Sequence, residues 1–585
     1  MKRPVRIGNA SGFYGDRMAA MRLLVESSDI DVITGDYLAE LTMLILWKNQ
    51  QKDPESGYAR TFLSQFKQVV TECARRGIKV VVNAGGLNPA GMARQVRQIV
   101  SDAGVDLKVA HVEGDNLMPT LDKLHASGVN YTNIDTGQSL EDARLQPVSA
   151  NAYLGGWGIA SALQRGADVV ITGRVTDAAL VVGAGAWWHE WDRNDYDALA
   201  GAVAAGHIIE CGPQATGGNY SQLHEILDRR YPGSPIAELA HDGSFVITKP
   251  TDTGGVVSPG TVTAQLLYEV GSPAYINPDV TAYFDTLSIT TEGPDRVRVS
   301  GTRGTPPPPT LKACINCIGG YRNTMTMVLT GLNIEEKATW AVEELFGILG
   351  GQDQFDDVDI QLLRYDRPDP SSMMQATAHL RITVKDRNRD KVDRAFSNAV
   401  IELAVAGYPG FHTTTPPASA SEFGVYWPTL VPATHVQHTV VHHDGTREAI
   451  TASNETVSAP VPPAVDEPAA VDFGPTTRRA LGTIVAARSG DKGGNANVGL
   501  WTDTDERWEW LRTHLSTQQF TKLVPEAAGL TVLRYEFPNL KALNFVIVGF
   551  LGQGVASCTK TDPQAKGLGE YLRALHTDIP DRLFS

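Results

Sequence analysis

The sequence predicts an α/β protein with a mostly parallel, helix-covered sheet, an α+β extension and a small C-terminal ferredoxin-like α/β sandwich. Three observations predict it. The first half alternates short apolar runs with amphipathic stretches. Past residue 280 that rhythm gives way to longer strand and helix patterns. A Pro/Ala-rich stretch over 451–477 then sets off residues 478–585.

The apolar runs of the first half are "VRIGNASGFYGD" (5–16), "IDVITGDY" (30–37), "IKVVVNAGG" (78–86), "LKVAHVEGD" (107–115), "VNYTNIDTG" (129–137) and "ADVVITGRVTD" (167–177). Each reads as a strand running into a polar or glycine-rich ending. Between them lie stretches such as "YARTFLSQFKQVVTECARRG", with apolar residues at three- and four-residue spacing. Strand–helix alternation implies right-handed crossovers and parallel strands. An open doubly wound sheet is expected for residues 4–280, with a distorted barrel as the alternative. Past residue 205, "GHIIECGPQATGGNY" enters a glycine-rich loop, and 243–271 reads as strand, polar loop, then a helix with Pro259 near its start, where a missing N–H does no harm. Residues 281–450 read as the α+β part: strand "DRVRVSG", helix "EEKATWAVEELFGIL", strand "ATAHLRITVKD", helix "DKVDRAFSNAVIELAVAG". Stretch 451–477 lacks any period and reads as a linker.

Bulk properties narrow the function. Lys and Arg total 51 against 66 Asp and Glu, a net charge of −15, which argues against a nucleic-acid or membrane-surface role. No apolar stretch reaches the ~20 residues of a membrane span. No export signal is visible, and five cysteines make no disulfide framework. A cytoplasmic homo-oligomer acting on a small molecule is expected.

The strand endings supply the candidate site. In parallel α/β sheets the loops at the carboxyl ends of strands converge on one rim, where ligands bind. Asn9, Asp36, Asn83, Gly85, Gly86, Glu113, Asp135, Arg174 and Asp177 all fall at such endings; solvated turns are the plainer reading. "RIGNASGFYGDR" places Ser11 and Gly12 between strand and helix, as an anion cradle or simply a tight turn. It matches neither the dinucleotide fingerprint nor the P-loop. In "GRVTDAAL", Arg174 can fork onto a carboxylate or phosphate, while Thr176 or Asp177 can cap the helix. "ECGPQATGGN" groups Glu210, Gln214, Thr216, Gly217 and Gly218; Glu210 suits general acid–base work, and Cys211 has no assignable partner. The isolated Cys314-Ile-Asn-Cys317 and the histidines of 435–443 do not make a metal site, and none is assigned. "ARSGDKGGNANVG" (487–499) reads as a loop between paired strands, offering Ser489, Asp491, Lys492, Asn495 and Asn497 to an anion.

With "GNASGFYGDR", "NAGGLNP", "GRVTDAAL", "ECGPQATGG" and "ARSGDKGGNANVG" together, the chain resembles the acyclic terpene utilisation protein A family. Residues 4–450 match its main domain, and 478–585 match a ferredoxin-like domain found fused or as a separate chain. The resemblance implies a place in bacterial breakdown of citronellol- and geraniol-type terpenoids, near acyl-CoA carboxylation and hydration. The expected activity is a lyase or hydratase acting on an acyl-CoA thioester or branched carboxylic acid, with Glu113, Asp135, Asp177 and Glu210 as candidate bases. Gly85–Gly86 and Gly217–Gly218 amides, with Arg174, are the expected oxyanion donors. Coenzyme A enters as a substrate carrier, and no other cofactor is assigned. The alternative is a non-catalytic binding or scaffold subunit of an acyl-CoA-processing complex.

Overall fold

A computed structural model describes residues 2–460, 468–469 and 471–584. It divides into two compact units: Met1–Asn316 with Tyr426–Val555 and Asp562–Ser585, and Cys317–Val425 with Ala556–Thr561.

At the centre of the first unit are β1 (Val5–Asn9), β2 (Val32–Gly35), β3 (Lys79–Val82), β4 (Val109–Glu113) and β5 (Val169–Thr172). They pair in parallel in the order β1-β2-β3-β5-β4. Their sequences (VITG, KVVV, VVIT) are β-branched and almost wholly buried, as helix cover on both faces requires. Met21, Phe62, Phe66 and Val96 pack in the core beside them.

The expectation of a mostly parallel sheet is met in part. The sheet has eleven strands, and antiparallel strands extend it at both edges. Ile236–Leu239, Phe245–Thr248, Arg296–Ser300 and Ser288–Gly293 follow β1; Thr439–Val441 and Arg447–Ala449 follow β4. Arg296–Ser300 alternates buried and part-exposed residues, as a sheet flank does once one face meets water. Residues 129–137 are a correction: they form turns, not a strand, with Tyr131 in the left-handed region at φ 48°.

Helix starts follow local chemistry. Asn88 accepts the Gly91 amide and Pro89 opens the helix Pro89–Asp102. Ser258 and Thr261 form a capping box ahead of Pro259–Leu266, the helix expected there.

In the second unit, the later part of Thr310–Thr330 pairs antiparallel with Thr377–Asp386, which pairs with Asp357–Arg364. The helices Ile334–Leu349 and Arg394–Ala406 cover one face through Ala341, Leu345, Phe396 and Val400.

The C-terminal part packs into the first unit as a four-stranded antiparallel sheet with helices at Asp505–His514, Thr517–Leu523 and Leu568–Ala574. The expected loop over 487–499 is in fact a hairpin. Strands Ala486–Lys492 and Asn495–Trp501 pair throughout, and only Gly493–Gly494 turn, with Gly493 at φ 65°. Residues 461–467 and 470 of the expected linker lie outside the described residues.

Candidate active site

The carboxyl ends of the parallel strands build one half of a polar crevice. Asp36, one residue past β2, is buried; it accepts from Asn83 Nδ2 at 2.6 Å and from the Leu38 amide at 3.1 Å. Past β5, Arg174 is 3% exposed. Its Nη1 donates to the Leu38 carbonyl at 2.9 Å and to Asp177 at 3.0 Å, and its guanidinium lies 4.3 Å over the Tyr153 ring. Tyr153 in turn donates to Glu40 at 3.1 Å, and Lys312 Nζ stands 4.0 Å from the same carboxylate. Glu40, Asp177 and Lys312 are half-buried and keep 28%, 25% and 36% of their side-chain surface open. That combination marks a recess that water reaches.

The C-terminal hairpin closes the other half. Asn497 Nδ2 donates to the Leu267 carbonyl at 2.8 Å, and its Oδ1 accepts the Glu269 amide at 2.9 Å. Asn544 Nδ2 grips the Val270 and Gly271 carbonyls at 2.9 and 2.8 Å. Together they fix the segment 267–271 with Glu269 at φ 55°, a backbone state that a non-glycine residue holds only when its surroundings impose it. Gly490 is required by the same packing, because a Cβ there would come within 2.2 Å of the Tyr268 ring. Lys492 Nζ then donates to the Glu269 carbonyl at 2.9 Å, and Asn495 donates to Asp135 at 2.8 Å. Tyr268 is flanked by Lys566 Nζ, 2.9 Å from its hydroxyl, and by the Arg488 guanidinium, 4.1 Å over its ring; Arg488 also donates to Gln214.

So many carboxylates in one recess shift one another's protons. Burial, then Asp177, pushes the Asp36 carboxyl well up against the pull of Arg174. Burial, then Asp177 and Glu269, does the same to Glu210. Burial raises Glu269, aided by Glu40, against a hydrogen bond from Tyr268. Asp491 is pushed up to about 8, by burial first and then by Glu269 and Glu40. Burial also raises Glu40, but Lys312 and Arg174 outweigh it and hold that carboxyl below its ordinary range. Lys492 is lowered to about 8 by burial and Lys312, against Glu269, Glu40 and Asp135. The crevice thus holds proton donors and acceptors poised near neutrality beside a fixed carboxylate.

Several expected site residues have other work. Glu113 points to the edge strands: it bonds His111 at 3.0 Å and Arg447 at 2.7 Å, which with burial acting against them hold its carboxyl down at about 2. Asp115 takes its place near the rim; it accepts from Asn151 and from the Arg174 amide, and burial lifts it to about 6. The expected oxyanion amides are already bonded: Gly85 to Thr172 O, Gly86 to Asn83 O, Gly217 to Gln214 O and Gly218 to Pro213 O. The cradle at 8–15 is closed too. The Gly12 amide donates to Asp16, and a Cβ on Gly12 would meet the Cys211 backbone at 2.6 Å. Asn9 holds the Ile209 and Glu210 carbonyls, Ser11 the Phe13 carbonyl, and Thr216 the Pro213 and Gly233 carbonyls. Ser489 bonds Lys566 O and the Gly569 amide. Arg174 is spent on Leu38 and Asp177, while Lys312 stands by Glu40 and Lys492 by the Glu269 carbonyl. Glu210 is 6% exposed beside His207, whose imidazole burial holds at about 4 and therefore neutral. Burial, then Glu210, keeps the Cys211 thiol protonated, which removes it as a nucleophile.

Glu40, Tyr153, Tyr268, Glu269, Lys312, Arg488 and Lys566 complete the crevice; Arg488 sits within the 487–499 stretch, and no motif announced the others. Only Tyr268–Glu269, at a helix end before a glycine, left a local trace.

An α/β main domain whose strand ends and C-terminal hairpin share one carboxylate-rich crevice defines the class. Residues 5–442 match the model of the acyclic terpene utilisation family protein AtuA, and 479–578 match the AtuA ferredoxin-like domain. The chain belongs to that family. No curated protein is similar enough to match it. No helix among the described residues is long and apolar enough to cross a membrane.

Proposed function

We propose that the protein is an enzyme of acyclic terpenoid or branched-chain acid breakdown, with lyase or hydratase chemistry on an acyl-CoA thioester or carboxylate. One observation carries this reading: carboxylates of opposite proton affinity share a water-reached recess with two lysines. Chemistry of this class removes a proton α to a carbonyl and steadies the oxygen that takes the charge. A carboxylate among Glu40, Asp177 and Glu269 takes the Cα proton, and the electron pair moves onto the carbonyl oxygen. Lys492 and Lys312 meet that oxygen or the substrate carboxylate. As the pair returns to form the Cα–Cβ double bond, the Cβ–O bond of a β-hydroxyl breaks, and the Asp491 carboxyl, protonated at neutral pH, gives that hydroxyl its proton so that it leaves as water. Asp135, Glu210 and Arg174 serve by holding Asn495, the protons of the crevice and the Asp36–Asp177 pair.

The test is proton exchange. The protein is incubated in deuterated water with 3-methylbutanoyl-CoA, and loss of the α-proton is followed by NMR. Exchange that falls at least about tenfold in Glu269→Gln or Asp177→Asn supports the reading. Absence of exchange with every branched thioester and free acid, combined with capture of an acyl-CoA-processing subunit, turns the assignment to the scaffold alternative.

A further inference from the structure

We propose a second ligand site, a pocket for a small apolar carboxylate that backs onto the crevice but is separate from it. A cavity of about 180 Å³ is walled by Leu154, Trp157, Leu311, Ile450 and the Pro307–Pro309 run. Cavities near 150 Å³ take a guest the size of benzene, so this one suits about eight non-hydrogen atoms. Thr434, Thr451, Ser453 and Thr456 also line it, and its titratable groups are three: Arg193, Asp279 and His438.

The charge balance of those three selects the ligand. Arg193 is half-buried, with its guanidinium 5.0 Å over the Trp157 ring and Nη1 donating to the Thr451 carbonyl at 2.9 Å. Burial weighs against its charge, and Asp279 supports it. Asp279, 5% exposed, is occupied by the Gly156 amide at 2.8 Å, and burial pushes it up to about 6. Burial holds His438 at about 4, so it is neutral near pH 7. The pocket therefore presents a half-buried guanidinium, with the Asp279 carboxylate held by the Gly156 amide, at the end of a largely apolar slot. A carboxylate meets that fork with paired hydrogen bonds, and its tail lies on Trp157 and the prolines. A neutral molecule leaves the guanidinium unanswered.

The pocket shares its wall with the crevice. The Tyr153 amide donates to the Lys312 carbonyl at 2.9 Å, and Leu154 pairs with Val175. Tyr153 and Lys312 serve the crevice, while their neighbours Leu154, Gly155 and Leu311 line this pocket.

The experiment titrates the full chain with 4-methylpentanoate and with 4-methylpentan-1-ol, its uncharged match, read by saturation-transfer NMR and tryptophan fluorescence. The acid is expected to bind at least about tenfold more tightly than the alcohol, the scale of one charge-assisted hydrogen bond. Arg193→Gln and the pocket-filling Ala433→Leu, which keeps every charge, should each weaken it by about tenfold, and Lys492→Ala should leave it unchanged. Equal binding of acid and alcohol, no binding of the acid, or binding indifferent to both pocket variants overturns the proposal. Loss in Lys492→Ala also overturns it, because the acid then sits in the crevice.

Discussion

Replacing Asp491 by Asn should stabilise the protein, and increasingly so as pH rises. The Asp491 carboxyl is pushed up to about 8 by burial and by Glu269 and Glu40, with Lys566 opposing them. In the unfolded chain an aspartate ionises at about 4. Between those values the folded protein keeps a proton that the unfolded chain has lost. Stability from this group is therefore complete below about pH 4 and drains away as pH climbs through 8. At pH 7 the gap of about three pH units corresponds to about 4 kcal/mol if taken whole. Remaining solvent contact and the shared titration of Glu269 reduce this to about 1–2 kcal/mol. Asn has the same shape and never ionises. Thermal midpoints of wild type and Asp491→Asn should nearly coincide at pH 4.5 and separate by about 1–2 °C at pH 8, the variant higher. A difference that ignores pH, or a variant less stable at pH 8, would refute the reasoning.

The other expectations follow from the same contacts. Arg174→Met leaves Asp36 and Asp177 facing each other without their cation and should lower stability by about 3 kcal/mol or more, measured by urea unfolding. Asn497→Ala removes the bonds to Leu267 and to the Glu269 amide. It should cost about 1–3 kcal/mol and weaken ligand binding in the crevice, where a merely structural role would change unfolding alone. Glu113→Gln should leave crevice binding by isothermal titration within about twofold of wild type, since its partners are His111 and Arg447; a larger loss would return Glu113 to the site.

The sequence disclosed the parallel core and the family because both are written locally. The runs VITG, KVVV and VVIT announce strands buried on both faces, and Asp36, Asn83 and Arg174 stand where such strands end. The edges were hidden: strands such as Ile236–Leu239 and Thr439–Val441 are short, and their antiparallel pairing depends on distant partners. Glu113 ends its strand two residues before Asp115, the carboxyl that reaches Arg174, and a period-based reading does not separate the two. The glycine pairs misled in another way: their amides close turns, a use of backbone freedom that composition does not distinguish from anion binding. The hairpin tip Gly493–Gly494 sits in a run of small polar residues and reads as a loop, although cross-strand pairing holds every residue up to the tip. Lys312 and Tyr153 reach the crevice from elements that carry no motif, and Glu269 depends on a clamp supplied by residues more than two hundred positions later.

The most direct test of the account is the affinity of 3-methylbutanoyl-CoA for wild type and for Lys492→Ala, read by thermal unfolding over a range of ligand concentrations. A ligand at a hundred times its Kd stabilises the native state by about 2.7 kcal/mol. The account predicts that stabilisation in wild type and at least about a tenfold weaker Kd in the variant. Equal affinity in both proteins, or no stabilisation of either, would contradict the claim that this crevice is where the substrate binds.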